Sequence, residues 1–306
     1  MKELLTIDFC DFWPGFNKGD NYFYHLLSRK YELQISEKPD LLIFSVFGKR
    51  HREYKCTRVL YSGENRGVDF TACDYAFTGD YNPHPRHFRM PFFVYCFPPE
   101  RFIKPELDYE AVLAAKQKFC CMVVSNPGGK VRNRFYELLS QARQVDSGGK
   151  YKNNIGFRVP DKEAFLQEYK FNIAFENRSW PGYTTEKIVE PMLVNTLPIY
   201  WGNPLIHKDF NPKAFLSYHQ YRSPQALIKH ILMVDKDKKL HLQYLCEPWC
   251  HGNRLPEQFQ PDYLLQVFKM IIETPINPVA SKKKSFGYYL QRSKYRLGKL
   301  MRRGYL

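Results

Sequence analysis

Residues 171–201, FNIAFENRSWPGYTTEKIVEPMLVNTLPIYW, read as strand, loop, helix and strand. Residues 171–176 are apolar and β-prone, and they deliver Glu176 and Asn177 into a loop. Pro181-Gly182-Tyr183 turns the chain, and Thr184 or Thr185 can cap a helix over 184–195 whose first turn holds Glu186 and Lys187. Residues 197–201 form the next strand and end at Gly202-Asn203-Pro204. Two strands joined through a helix make a parallel α/β unit. Pro191 lies inside the helix and should bend it or free a carbonyl, with no functional reason evident in the sequence.

The same grammar extends both ways. Residues 118–125, KFCCMVVS, are a continuous apolar run, as in a strand buried on both faces. Asn126-Pro127-Gly128-Gly129 is a turn, and residues 131–142 are a helix with Phe135, Leu138 and Leu139 on one face. Residues 225–234 and 262–273 also read as helices. In the first hundred residues, strands are expected at 4–10, 40–47, 58–62 and 74–78, with a helix at 21–33 carrying Phe23, Leu26, Leu27 and Tyr31 on one side. Pro98, Pro99 and Pro105 mark 97–108 as a linker. The expected organisation is an α/β domain over residues 1–105, a second over 106–280, and a basic segment over 281–306. Such halves bind ligands in the cleft between them, beyond the carboxyl ends of the strands.

Three groups of residues stand at such ends. Glu64, in Ser62-Gly63-Glu64-Asn65, is a carboxylate that could take a proton from a hydroxyl nucleophile, or simply a loop acid in solvent. Lys130, Arg132 and Arg134 open the helix after the 118–125 strand, where free N–H groups and the helix dipole suit a phosphate. The bland reading is a solvated basic helix start, and the segment lacks P-loop spacing. Lys187 could meet a phosphate and Glu186 a sugar hydroxyl, although an acid in a first turn is also ordinary helix chemistry.

Composition bounds the class. The 306 residues are 44% hydrophobic and 25% charged, which fits a globular protein and excludes a disordered or collagen-like chain. No apolar run approaches the roughly 20 residues of a membrane span. Glu3 and Asp8 interrupt the apolar start, so no signal peptide is expected. The net charge is +15, but residues 281–306 hold nine basic residues and no acid, leaving +6 for residues 1–280. A basic stretch of this kind attracts nucleic acid, nucleotides or anionic membranes. The 22 Tyr and 24 Phe suit stacking on sugars or bases, or a ring-rich core. Eight dispersed cysteines read as reduced thiols. Cys246, Cys250 and His251 have a C-x3-C-H spacing without a second pair, so ordinary burial is expected there and no metal.

YKFNIAFEN, GYTTEKIVE, LPIYWGNP and KDFNPKAF together resemble the signature of the family 10 α1,3/α1,4-fucosyltransferases, the bacterial members most closely. SGENRGVDFTACDYAFTGD with FRMPFF resembles that family's acceptor-domain segment, and SNPGGKVRNRFYELLSQ its nucleotide-domain entry. The resemblance spans roughly residues 58–218. It implies a GT-B fold of two Rossmann-like α/β domains, with GDP-fucose held by the second and a glycan acceptor by the first. It implies transfer of L-fucose from GDP-β-L-fucose with inversion, by default to O3 of N-acetylglucosamine in a glycan such as a lipopolysaccharide or capsule chain, with O4 linkage or another acceptor left open. It puts the general base on Glu64, the donor-binding arginine on Arg132, the donor-loop Asn and Tyr on Asn177 and Tyr183, and the Glu-Lys pair on Glu186 and Lys187. Pro191 departs from several relatives, and the heptad repeats of some bacterial members are missing.

No Asp-x-Asp pair stands in 171–201, so no cofactor or catalytic metal is expected, with stimulation by a divalent cation left open. From Phe286 on, Tyr289, Leu290, Leu297, Leu300, Met301 and Tyr305 alternate with basic residues as in an amphipathic helix suited to an anionic membrane surface, the alternative being a disordered basic tail that binds nothing specific. Relatives end in similar segments, so a peripheral place on the inner face of the cytoplasmic membrane is expected. The competing readings are a GT-B enzyme using another nucleotide sugar and a basic nucleic-acid-binding protein. Because most excess charge lies in 281–306, deleting that segment should remove nucleic-acid binding while transfer to a soluble acceptor survives.

Overall fold

The computed structural model describes residues 2–274, 276–279 and 286–303. The chain forms two compact units. The first runs to Tyr95 and resumes at Glu257, and the second is Cys96–Pro256.

The first unit holds a six-stranded sheet in the order β2-β1-β3-β4-β5-β6, every pair parallel. Its strands are β1 (Glu3–Cys10), β2 (Tyr31–Ile35), β3 (Leu41–Phe44), β4 (Thr57–Ser62), β5 (Tyr75–Thr78) and β6 (His87–Arg89). β3 and β5 are buried at every residue, as central parallel strands should be. Helix α1 (Tyr22–Ser28) starts where the Asn21 side chain accepts from the N–H groups of Phe23 and Tyr24. It buries Phe23, Leu26 and Leu27. The expected helix to residue 33 is corrected: Tyr31 begins β2, pairing in register with β1 from Glu3↔Tyr31 to Ile7↔Ile35. A five-residue parallel ladder outweighs the helical spacing of a single tyrosine. α2 (Phe92–Cys96) follows β6.

The second unit holds a five-stranded parallel sheet, β11-β10-β9-β7-β8. Its strands are β7 (Lys118–Met122), β8 (Val145–Ser147), β9 (Tyr169–Phe175), β10 (Leu197–Trp201) and β11 (Leu216–Ser217). Its helices are α3 (Tyr109–Ala115), α4 (Lys130–Ala142), α5 (Lys162–Gln167), α6 (Glu186–Leu193), α7 (Pro224–Lys236) and α8 (Lys238–Cys246). α4 lays Phe135 and Leu139 on the sheet, and Phe135 stacks on Phe175 at 4.8 Å. α6 runs through Pro191, which has no N–H to offer the Lys187 carbonyl one turn back.

The expected domain limits at 105 and 280 are corrected on both sides. The Pro-rich stretch is no free linker: Phe102 is buried, and the buried Lys104 ammonium donates to the carbonyls of Leu245 and Glu247. Burial pulls that ammonium down to about 8. At the other limit, α9 (Pro261–Glu273) belongs to the first unit. It buries Leu264, Val267, Phe268 and Ile271, and Phe268 stacks on Phe77 at 4.8 Å and meets Phe23 at 5.8 Å. Apolar periodicity shows that such a helix exists, but not which sheet it covers. Phe268→Ala should cost about 3–5 kcal/mol. Hydrogen exchange should then quicken in α1 and β5 and stay unchanged in β9; faster exchange confined to β9 would contradict this assignment. α10 (Phe286–Arg303) is the last helix among the described residues. Residues 281–285 and 304–306 of the basic segment, Tyr305 included, lie outside the described residues.

Candidate active site

In the second unit, five of the six sequence-predicted residues gather beyond the carboxyl ends of β7 and β9. Arg132 is fully buried in the first turn of α4, whose N-cap, Gly129, supplies no side-chain bond. The Arg132 guanidinium donates from Nη1 to Asn177 Oδ1 at 2.7 Å and from Nη2 to the Asn126 carbonyl. Its Nε is buried with no hydrogen-bond partner among the described residues. A Cβ on Gly129 would lie 2.7 Å from Arg132 Cζ, so only glycine lets the guanidinium fold back there. Burial lowers the Arg132 pKa, against the favourable fields of Tyr151, Glu176 and Tyr183. Lys130 and Arg134 are exposed and fit the bland reading of that helix start.

Lys187 is held by a residue to which the sequence assigned no role. Glu176, at the end of β9, is completely buried, and Lys187 Nζ donates to its Oε2 at 3.0 Å. Glu176 also accepts from the Thr185 N–H at 2.7 Å and from Thr185 Oγ1 at 2.9 Å. Thr185 is the N-cap of α6, so one carboxylate fixes the helix start and the lysine together. Burial works against the Lys187 ammonium, but Glu176 and Glu186 outweigh it and raise its pKa. Glu186 lies 3.8 Å from Lys187 Nζ, and Tyr183 is buried within the field of Arg132.

The loop after β10 supports this group from below. Asn203, fully buried, accepts from the Gly182 N–H at 2.8 Å and donates to Thr184 Oγ1 at 3.1 Å. Gly182 has φ +87°, and a Cβ on Gly202 would stand 2.4 Å from Glu176 Cγ. The triplet Trp201-Gly202-Asn203 therefore shapes the turn that carries Tyr183. A groove of about 1440 Å3 beside α4, α7 and α8 is lined by none of the five predicted residues.

The sixth residue, Glu64, lies in the first unit, exposed in the loop after β4. Its N–H donates to Ser62 Oγ at 3.2 Å. Gly63 is pressed under Phe92, whose ring a Cβ there would meet at 2.3 Å. Phe92 belongs to an aromatic cluster that sequence reading missed. Trp13 makes edge contacts with Phe47 at 6.4 Å, Phe92 at 6.3 Å and Tyr95 at 5.5 Å, and Phe47 is 48% exposed. The cluster draws on the segments after β1, β3 and β6. The signal available beforehand was only a high aromatic content. Among the described residues no group of three or more His, Cys, Asp or Glu could hold a metal ion, and the eight cysteines are free thiols.

Comparison with known proteins bears on these features. Residues 7–96 match the alpha-(1,3)-fucosyltransferase FucT N-terminal domain, and residues 113–260 match the glycosyltransferase family 10 (fucosyltransferase) C-terminal region. The alpha-(1,3)-fucosyltransferase FucT of Helicobacter pylori is 31% identical over 74% of this chain and 56% of its own length. A putative fucosyltransferase of Acanthamoeba polyphaga mimivirus is 31% identical over 51% of this chain and 28% of its own. The chain thus spans about half the length, or less, of these curated relatives. A crystal structure of an alpha1,3-fucosyltransferase with GDP-fucose superposes with a TM-score of 0.78 at 28% identity, over 91% of this chain and 93% of that one. Anabaena HepE with UDP-glucose, at 10% identity and a TM-score of 0.52, shares the fold alone, over 88% of this chain and all of that one. The two parallel α/β sheets are of the GT-B type that the sequence led us to expect. With both of the family's regions matched along most of its length, the chain belongs to glycosyltransferase family 10, the fucosyltransferases.

Proposed function

We propose that the protein transfers L-fucose from GDP-β-L-fucose, with inversion, to a glycan hydroxyl, by preference O3 of N-acetylglucosamine. The observation that carries this reading is the paired arrangement of Arg132 with Asn177 and Lys187 with Glu176, in a family with a relative solved bound to GDP-fucose. The uncapped start of α4 offers N–H donors to a diphosphate, with the Arg132 guanidinium beside it. Asn177 and Tyr183 bind the donor, and Glu186 takes a ribose or fucose hydroxyl.

In the reaction, the acceptor oxygen attacks fucose C1 from the face opposite GDP. The C1–O bond to the β-phosphate breaks as the new glycosidic bond forms, and the product is α-linked. Glu64 takes the proton of the attacking hydroxyl. Lys187 and Arg132 stabilise the charge that builds on the leaving diphosphate. Two fixed cations supply what a metal otherwise would, so the proposal needs no resident cofactor. The rings of Trp13, Phe47 and Phe92 beside Gly63 offer apolar faces to an acceptor sugar.

The C-terminal segment fits an anionic membrane surface. Tyr289, Leu290, Leu297, Leu300 and Met301 are exposed. At one residue per 100° they fall within an arc of about 120° on α10, flanked by Lys294 and Arg296. No helix among the described residues is long and apolar enough to cross a membrane. We place the enzyme at the inner face of the cytoplasmic membrane, on a lipopolysaccharide or capsule chain.

The test is a donor panel. Purified protein should bind and consume GDP-fucose, with GDP-mannose, UDP-glucose and UDP-galactose at least tenfold weaker. Preference for one of the others would replace the donor assignment.

A further inference from the structure

The chain between α9 and its end is tied to both ends of β5. The Val279 N–H donates to Asp74 Oδ1 at 2.7 Å, just before the strand. Just after it, Arg302 of α10 forms a two-pronged pair with Asp80, Nη1 to Oδ1 at 2.9 Å and Nη2 to Oδ2 at 2.6 Å. The two side chains are only 12% and 10% exposed. Arg302 Nη1 also donates to Asn65 Oδ1 at 3.1 Å, and a Cβ on Gly67 would lie 3.4 Å from Arg302 Nε. The guanidinium thus lies along the loop that carries Glu64.

The phase of α10 shows that this contact is a face, not a single touch. Arg292, Tyr295, Gly298 and Arg302 are its partly covered positions. At about 100° per residue they lie opposite the exposed stripe of Tyr289, Leu290, Leu297, Leu300 and Met301. The helix therefore turns its polar side to the first unit and its apolar side outward, the reverse of an ordinary surface helix.

Besides Arg302, the loop after β4 is held by the Ser62–Glu64 bonds, by Phe92 over Gly63 and by Phe70, which stacks on His84 at 3.7 Å. The Arg66 N–H bonds the Glu64 carbonyl at 2.6 Å, and Arg66 Nη1 donates to the Val46 carbonyl at 3.0 Å. Arginine only donates, so the Asn65 amide must turn its oxygen to Arg302. Its Nδ2 is then buried, with no partner among the described residues. Without the guanidinium, the Asn65 amide is unpaired at both ends and the Asp80 carboxylate is left buried without its cation.

We propose that Arg302 is a positioning residue for the transfer: through Asn65 and Asp80, the polar face of α10 holds the Glu64 loop in its working shape. The proposal rests on the role given to Glu64 above. It also revises the expectation that deleting residues 281–306 spares transfer to a soluble acceptor, because the segment serves the catalytic loop as well as a membrane.

The experiment uses the full chain with Arg302→Ala and Arg302→Lys, free of lipid and detergent. Hydrogen exchange is read at residues 63–70, and kinetics are measured with GDP-fucose and soluble N-acetyllactosamine. In Arg302→Ala, exchange at 63–70 should quicken, kcat should fall of the order of 10²-fold, and GDP-fucose affinity should hold. Arg302→Lys should recover part of both losses. Unchanged exchange and kcat in Arg302→Ala would overturn the proposal, as would faster exchange spread evenly over β1 to β5, which marks a purely structural role. If the wild-type protein transfers no fucose to this acceptor, the exchange result still decides whether Arg302 holds the loop. The function proposed above is then what fails.

Discussion

Glu64→Gln should lower turnover by about 10²–10⁴-fold and leave GDP-fucose affinity where it is. The substitution is nearly isosteric, and the side chain is exposed on a loop, so the fold has no reason to respond. What the amide loses is the capacity to take a proton as the acceptor hydroxyl attacks. Asn177, Tyr183, Lys187 and Arg132, which would hold the nucleotide, belong to the other unit. Steady-state rates at saturating donor and acceptor, with calorimetric titration of GDP-fucose, separate the two effects. Turnover within threefold of the wild type would remove Glu64 from its role.

Lys187→Ala should act on binding and on stability together, for one structural reason. The ammonium is both a candidate diphosphate contact and the counter-ion of a fully buried carboxylate. Removing it leaves Glu176 buried without its cation, at a cost of about 3–5 kcal/mol. Donor affinity should weaken by about 10²-fold, in line with losing one charge-assisted contact from a buried pair. The double variant Glu176→Gln/Lys187→Met separates these consequences. Removing both charges should restore most of the melting temperature and none of the affinity. A GDP-induced rise in melting temperature like that of the wild type, in either variant, would show that Lys187 is no phosphate ligand.

Strand–loop–helix grammar made much of this legible beforehand. The signal was strongest for 171–201, where β9, the turn, α6 and β10 all lie close to their expected limits. It failed where long-range partners decide. Tyr31 had helical spacing but pairs as a strand because β1 lies beside it. α9 was visible as a helix, yet its packing on Phe23 and Phe77 depends on contacts about two hundred residues away. The candidate site shows the same split. The charged residues at strand and helix ends, Glu64, Arg132 and Lys187, stand out by chemistry. Glu176, Asn203 and Arg302 act by holding other side chains, and nothing in their local spacing distinguishes them from ordinary loop or helix residues.

The central claim is a division of labour: one unit supplies the proton acceptor and the other grips the donor diphosphate. The most direct measurement is calorimetric titration of GDP-fucose into Glu64→Gln and Lys187→Ala under identical conditions, below the melting temperature of both. The account predicts a wild-type dissociation constant for the first and about a 10²-fold weaker one for the second. Weakened binding in Glu64→Gln alongside wild-type binding in Lys187→Ala would contradict it.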